Sequence, residues 1–238
     1  MSTSFSVIVE EFVDSLGALE EVVKGGQGRT SSAPARVAAI RAATLLLAAT
    51  FEEFVREMAL EHAVQVVGRA SSVSALPDAL LDTAWRRTFD RFSRRQKAGR
   101  SIRETLETSA KQARSSVEAL CKFIEGDKSQ NIFDNLIHNE NNMRVRQINI
   151  LFRVGGLSDI CTETCKQTEL KNFFDTEDDD KTHGELLGAL DGFFDRRNQI
   201  AHSLRAASSS APEALFRDIE FFLAFSLDLC TTLEAWDS

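Results

Sequence analysis

The chain has 238 residues, of which 43% are hydrophobic, so it is long enough and apolar enough to bury a sizeable core. Its formal net charge of −8 at pH 7 argues against a protein that coats nucleic acid nonspecifically, because such binding depends on many Lys and Arg side chains facing phosphates. Seventeen Phe without any Tyr, only three Pro and no sustained period-two alternation argue against a β-sheet protein and predict an all-α fold.

The first predicted element is an amphipathic helix, which is followed by a loop rich in Gly, Ser and Thr. The helix covers Ser4 to Lys24 and ends at Gly25 and Gly26, and the loop continues to Ala33. This pattern predicts an N-terminal helix with a flexible loop in residues 1–33 and a single helical domain in residues 34–238. The helix either packs on the core of its own chain or reaches a second subunit.

A long second helix is predicted from Pro34 to Val67, with Gly68 at its end. Its inward positions recur every three to four residues: Val37, Ile40, Thr44, Leu47, Phe51, Phe54, Met58 and Val66. The run from Leu45 to Ala49 is apolar around most of the helix, which predicts cover by neighbouring helices or by a partner chain. The polar face consists of Glu52, Glu53, Arg56 and Glu57, which are predicted to form an ordinary solvated stripe. The alternative is that Glu53 faces the helix that carries Arg197 and holds that guanidinium.

A helix is predicted next, from about Pro77 to Lys97. Its second half overlaps a basic stretch, Trp85 to Arg103, which has eight basic residues against one acid. Aromatic side chains at positions 85, 89 and 92 offer apolar or stacking surface beside the basic side chains. The common meaning of this pattern is a solvated basic face, whereas in an RNA-acting protein the same face would bind the substrate backbone. The basic residues that share one helix face are Arg87, Arg91, Arg94 and Arg95.

The middle of the chain is less regular. A helix is predicted from Ser101 to Glu125, and residues 126–181 are predicted to form an irregular insertion. The insertion is predicted to hold a short helix between Asn131 and Asn142, a helix from Met143 to Val154 capped by Asn side chains and closed by two Gly, and a weak helical stretch from Leu157 to Phe174. A final core helix, Leu215 to Trp236, follows Pro212.

The helix predicted from Thr182 to Leu204 carries the candidate site. Thr182 and Glu185 have the spacing of a capping box, and apolar residues at helical spacing predict a buried face: Leu186, Leu190, Phe193, Phe194, Ile200 and Ala201. Asn198 and His202 lie one turn apart, and Arg197 lies five residues before His202, so the guanidinium and the imidazole can share one anion. The alternative is a solvated helix end whose Arg and His pair with Asp191 or Asp195.

The string Arg197-Asn198-Gln199-Ile200-Ala201-His202 resembles the R-N-x-x-A-H signature of HEPN domains. Two further stretches, Thr44 to Glu57 and Asn142 to Ile160, are similar to blocks of the RiboL-PSP-type HEPN group, in which a helix that ends in a Gly turn precedes the motif helix. The resemblance extends from about residue 35 to the C-terminus and implies an HEPN-like helical bundle with additional helices.

The resemblance implies a metal-independent endoribonuclease that cleaves RNA by attack of the 2′-hydroxyl, and it makes Arg197, Asn198 and His202 the candidate catalytic residues. Arg196 and the basic residues at positions 87, 91, 94 and 95 are then candidate substrate-binding residues. The family is commonly dimeric and often serves as a toxin or an antiphage effector, which implies a homodimer and an antitoxin or defence-system partner. The competing hypothesis is a non-catalytic helical module that binds RNA, a nucleotide or a partner protein.

The sequence also bears on compartment and cofactors. We see neither a secretory leader nor an apolar run of about 18 residues that would cross a bilayer, so we expect a cytoplasmic protein. Its four cysteines are then expected as reduced thiols. Cys161 and Cys165 lie four residues apart, but they have neither His ligands nearby nor a second Cys pair at zinc spacing, so no metal or other cofactor is expected.

Overall fold

The structure is a computed structural model that describes residues 3–26, 32–93, 102–133, 136–137, 142–202 and 211–236, with the backbone alone described for 91–93 and 102–106. Throughout these residues no β-strand forms, which confirms the predicted all-α class. A short 3-10 helix, Val73–Ala75, lies between the second and third α-helices. In chain order the α-helices are α1 (Ser4–Gly26), α2 (Ala33–Arg69), α3 (Asp78–Ser93), α4 (Ile102–Ile124), α5 (Val145–Arg153), α6 (Ile160–Thr164), α7 (Thr168–Phe174), α8 (Asp179–His202) and α9 (Pro212–Trp236).

The described residues form two compact units. The first unit takes its residues from 1–58, 140–150 and 159–238, and the second takes its residues from 59–139 and 151–158. The helix α8, which carries the candidate catalytic residues, therefore belongs to the first unit. The basic helix α3 belongs to the second unit.

The core of the first unit is built around the ring of Phe51 on α2, which is fully buried. Its centroid lies 4.2 Å from that of Phe222 on α9 and 6.4 Å from that of Phe194 on α8. Phe12 of α1 stacks on Phe54 of α2 at 4.3 Å, and α1 also packs along α9, so the first helix covers the core of its own chain. Phe suits such a core because a buried ring without a hydroxyl needs no hydrogen-bond partner.

The stretch predicted as one weak helix after Leu157 is two short helices, α6 and α7, separated by a turn at residues 165–167. A residue far along the chain stabilises this break. The backbone N–H groups of Glu169 and Leu170 at the start of α7 donate to the Asp228 carboxylate on α9 at 3.1 and 2.7 Å. Asp228 is buried, and burial raises its pKa, whereas the two N–H groups lower it. Asp228 therefore fixes the first turn of α7 on α9.

The second unit packs α3 against α4. Of the short helix predicted between Asn131 and Asn142, the structure describes residues 131–133 and 136–137, and within them Phe133 has 3-10 geometry, with its carbonyl accepting the Leu136 N–H at 3.0 Å. The Asn131 side chain accepts the Phe133 N–H at 3.0 Å at the start of this turn. The Gly turn after α5 is present. A Cβ on Gly155 would lie 2.3 Å from a ring carbon of His62, and Gly156 has φ 96, so both positions require glycine.

Lys128 closes the C-terminal end of α2, since its ammonium donates to the backbone carbonyls of Val67, Gly68 and Ala70. These carbonyls belong to the end of the helix, where a cation is favourable. We expect Lys128→Met to lower the free energy of unfolding by about 1–2 kcal/mol, because the carbonyls lose a charged donor. The measurement is the urea midpoint followed by circular dichroism. Lys122→Met, which removes an exposed lysine of α4, is the matched control and should leave the midpoint unchanged.

Candidate functional site

The motif helix α8 begins earlier than predicted and is capped by a different residue. The Asp178 carboxylate accepts the Lys181 N–H at 2.8 Å, and the Thr182 hydroxyl donates to the Asp178 carbonyl at 2.8 Å. The predicted Thr182 capping box is therefore wrong. Thr182 is fully buried inside the first turn, and an acid one residue before the helix supplies the acceptor.

The inward face of α8 is largely as predicted, since Leu186, Leu190, Phe193 and Phe194 are all buried. The last turn differs, because Ile200 is only half-buried and Ala201 is exposed. The final two turns of α8 thus extend past the fully buried core. Side chains there are accessible to a ligand while their backbone remains in a regular helix.

Arg197 and Asn198 are brought together on these last turns. The Arg197 Nη1 donates to the Asn198 side-chain oxygen at 3.0 Å, and both side chains are half-buried. Arg197 Nε is buried and has no hydrogen-bond partner within the described part of the chain. The Asn198 amide therefore orients the Arg197 guanidinium. His202 is the last residue of α8 and is exposed.

Asp191 and Asp195, the two acids predicted as alternative partners of Arg197 and His202, are bound by another residue. Arg144, just before α5, donates to Asp191 at 2.7 Å and to Asp195 at 2.6 Å. The hydrogen bond to Asp195 is the largest cause of the raised pKa of Arg144. This bridge leaves Arg197 without a carboxylate partner among the described residues. Sequence spacing could not reveal the bridge, because Arg144 is far from α8 along the chain.

Glu53 does not hold Arg197. Its carboxylate pairs with Arg56, one turn further along α2, because that guanidinium is within reach on the same helix face. The neighbouring Glu52, predicted as part of a solvated stripe, is instead buried and accepts the Asn142 N–H at 2.6 Å. Asn142 adopts a left-handed φ of 63, and its side-chain oxygen has no partner among the described residues, so it does not cap α5 as predicted.

Arg196 faces away from Arg197, as a step of about 100° between helical neighbours requires. It donates to Asp218 of α9 at 2.5 Å, and its guanidinium lies 5.9 Å from the ring centroid of Phe193. Burial raises the pKa of Asp218, and the charge of Arg196 opposes that rise. Arg196 also lines a groove of about 580 Å³ that the sequence did not predict, formed by side chains of α7, α8 and α9. Phe173, Phe174 and Arg217 line this groove, but Arg217 is more than 40 residues from the two Phe, so no sequence spacing indicated that they meet.

The predicted basic surface is described only in part. On α3, Arg87 is half-buried, and the rings of Trp85 and Phe89 are exposed with centroids 4.9 Å apart. This agrees with the predicted stacking surface. The side chain of Arg91 and the whole of Arg94 and Arg95 lie outside the described residues.

Comparison with known proteins identifies the same family that the motif on α8 indicated. The model of the family described as RiboL-PSP-HEPN matches residues 11–235. No curated protein and no solved structure matches the chain. Within the described ranges, no helix has the length and apolar content that crossing a bilayer requires. Because the family match spans nearly the whole chain and includes the motif helix, the chain belongs to the RiboL-PSP-HEPN family.

Proposed function

We propose that the protein is a metal-independent endoribonuclease in which Arg197, Asn198 and His202 are the catalytic residues. The observation that carries the proposal is the state of Arg197. It is half-buried, oriented by Asn198 and, as far as the chain is described, unpaired with any carboxylate. In a member of an HEPN family, an oriented cation that precedes an exposed imidazole by five residues on the same helix suits a phosphodiester substrate.

The reaction follows from the chemistry of these groups. The bond from the 2′-oxygen to phosphorus forms while the bond from phosphorus to the 5′-oxygen breaks, which gives a 2′,3′-cyclic phosphate and a 5′-hydroxyl. An imidazole can take the proton of the 2′-hydroxyl or give one to the leaving 5′-oxygen, and His202 is exposed for this role. The Arg197 guanidinium supplies fixed positive charge to the crowded phosphorane. Asn198 holds that guanidinium in place.

The active form in this proposal is a homodimer. One chain supplies one His202, whereas the reaction needs one group to accept a proton and another to donate one. Two copies around a twofold axis would place both pairs of Arg197 and His202 in one cleft. Apolar surface for a partner chain is available on α2, where Leu45 is 36% and Leu46 is 52% exposed in the single chain.

The helix α3 of the second unit is a further RNA-contacting surface in this proposal. The exposed rings of Trp85 and Phe89 can stack on bases, and the arginines of the same helix, including Arg87 and Arg91, can meet phosphates. The remaining part of the proposal is the biological role, a toxin or an antiphage effector that an antitoxin or defence-system protein holds in check. This role follows from how the family is used.

Incubating the purified protein with tRNA, total RNA and phage transcripts in excess EDTA tests the chemistry. We expect cleavage that leaves 2′,3′-cyclic phosphate ends, identified by mass spectrometry of the fragments. His202→Ala protein should leave the same RNA intact. RNA that the wild-type protein binds without cutting would contradict a nuclease and indicate a non-catalytic RNA-binding module.

Mixing two inactive variants tests the shared cleft. His202→Ala and Arg197→Ala proteins, unfolded and refolded together, should regain a small part of the activity, because a mixed dimer brings Arg197 of one chain and His202 of the other into one cleft. The regained activity should be partial, since the single His202 can assist only one of the two proton transfers. Each variant refolded alone is the control. A monomer that cleaves RNA at the wild-type rate, established by sedimentation under assay conditions, would refute the composite site.

A further inference from the structure

The groove beside the motif helix has the size and the lining of a ligand site. Its volume of about 580 Å³ falls in the range of about 300–1,000 Å³ that is typical of small-molecule pockets. The side chains of interest are supplied by three helices: Phe173 and Phe174 from α7, Arg196 from α8, and Arg217, Asp218 and Phe221 from α9. An aromatic wall and a wall that carries two arginines, the cationic wall, therefore face one space, and the acid Glu185 of α8 also lines it.

The aromatic wall is a surface on which a flat ring can stack. Phe173 and Phe174 are only half-buried, and their rings meet edge to face with centroids 5.0 Å apart and an interplanar angle of 77°. Phe221 lies behind them, fully packed, with its centroid 5.8 Å from that of Phe173. An apolar wall of this kind stacks on any nucleobase, because every base offers a π-face.

The two arginines of the cationic wall differ in whether they pair with an acid. Arg196 is paired with the carboxylate of Asp218, so their charges offset each other. Arg217 is exposed, its guanidinium lies 5.8 Å from the Phe173 centroid, and it forms no ion pair in the part of the chain that the structure describes. A planar guanidinium that lies over one ring of the aromatic wall suits a phosphate whose base stacks on the exposed part of that wall.

The groove lies on the same two turns of α8 as the residues that the proposed reaction uses, but on a different face. Arg196, Gln199 and Ile200 line it, and they alternate along α8 with the catalytic residues at positions 197, 198 and 202. Neighbouring residues are separated by about 100° around the helix and about 1.5 Å along it, so Arg196 and Arg197 are level but point in different directions. An RNA strand that passes across these two turns can place one phosphate on Arg197 and a further nucleotide in the groove.

We propose that this groove binds one nucleotide of the RNA, with its base against Phe173 and Phe174 and its phosphate on Arg217. The inference rests on the proposed ribonuclease function and adds a positioning subsite next to the scissile bond. Such a subsite supplies affinity and orientation without taking part in proton transfer.

Binding to a cleavage-deficient chain tests the groove separately from catalysis. In full-length His202→Ala protein we measure the affinity for a fluorescent eight-nucleotide RNA of mixed sequence by fluorescence polarisation. Arg217→Ala and Phe174→Leu, each added to this chain, should weaken binding about tenfold. Phe174→Leu keeps an apolar side chain and removes the π-face, and circular dichroism checks the fold. Arg153→Ala removes an exposed arginine outside the groove and is the matched control.

A crosslink locates the bound base. RNA that carries 4-thiouridine, irradiated on the His202→Ala chain, should attach to the tryptic peptide with Phe173 and Phe174, and the attachment should fall with Arg217→Ala. Affinities within twofold of the parent, crosslinks confined to other peptides, or dimer dissociation as the only effect of both substitutions would overturn the proposal. A wild-type protein that binds RNA in the groove but does not cut it would refute the ribonuclease and leave the subsite standing.

Discussion

Replacing His202 with alanine is expected to slow RNA cleavage by about 10²- to 10⁴-fold, because the reaction loses its general acid or base. RNA affinity should change little, since the phosphate contact is assigned to Arg197. The measurement is the single-turnover rate at saturating protein in the presence of EDTA, with affinity measured in parallel. Free imidazole added to the variant should restore part of the rate, which a merely structural role for His202 would not produce.

His183→Ala is the matched control for His202. His183 is half-buried in the first turn of α8, far along the helix from the proposed reaction. Its replacement should leave the rate per folded molecule unchanged. A His202→Ala protein that cuts at the wild-type rate, or a His183→Ala protein with an equal defect and a normal thermal melt, would contradict the assigned role.

The second large effect concerns stability. Phe51→Ala is expected to lower the free energy of unfolding of the first unit by about 3–5 kcal/mol, because it removes a fully buried ring and leaves a cavity. The vacancy would lie among rings from α1, α2, α8 and α9: Phe12, Phe54, Phe194, Phe222 and Phe225. Aromatic pairing adds about 0.5–1.5 kcal/mol to the loss for a close pair. Urea denaturation followed by circular dichroism measures the change.

Phe89→Ala removes the same side chain where it is 42% exposed and serves as the control. Its unfolding midpoint should move much less, because the side chain is already partly hydrated and its removal leaves no enclosed cavity. Equal losses for the two substitutions would mean that the Phe51 cluster does not carry the core of the first unit.

The spacing of apolar residues predicted which side chains are buried where that depends on a single helix. Phe51 and Phe54 were predicted inward from their three-to-four spacing, and both are buried. Partners distant in sequence decided the exceptions. Glu52 was predicted to be solvated like its neighbour Glu53, but it is buried because its carboxylate accepts the backbone N–H of Asn142. A helical period cannot distinguish these two glutamates, because the distinction comes from another segment.

The site divides in the same way. Arg197, Asn198 and His202 were selected because a short string resembled a family signature, and a string of adjacent residues is what a sequence displays directly. The groove forms only where Phe173 of α7 and Arg217 of α9 meet. The bridge from Arg144 joins it to Asp191 and Asp195, which are 47 and 51 residues further along the chain. Tertiary packing creates both features, so their residues carried no recognisable pattern.

The contact between Asp228 and the first turn of α7 bears on how the groove behaves. The same helix, α9, carries this carboxylate and also presents Arg217 and Asp218 to the opening. The helix that supplies the aromatic wall is thereby hydrogen-bonded to the helix that supplies Arg217, so we expect the two walls to keep their spacing. A nucleotide would enter an opening that is already shaped, so little conformational entropy is lost on binding, and the register of the strand on α8 is set before the chemical step begins.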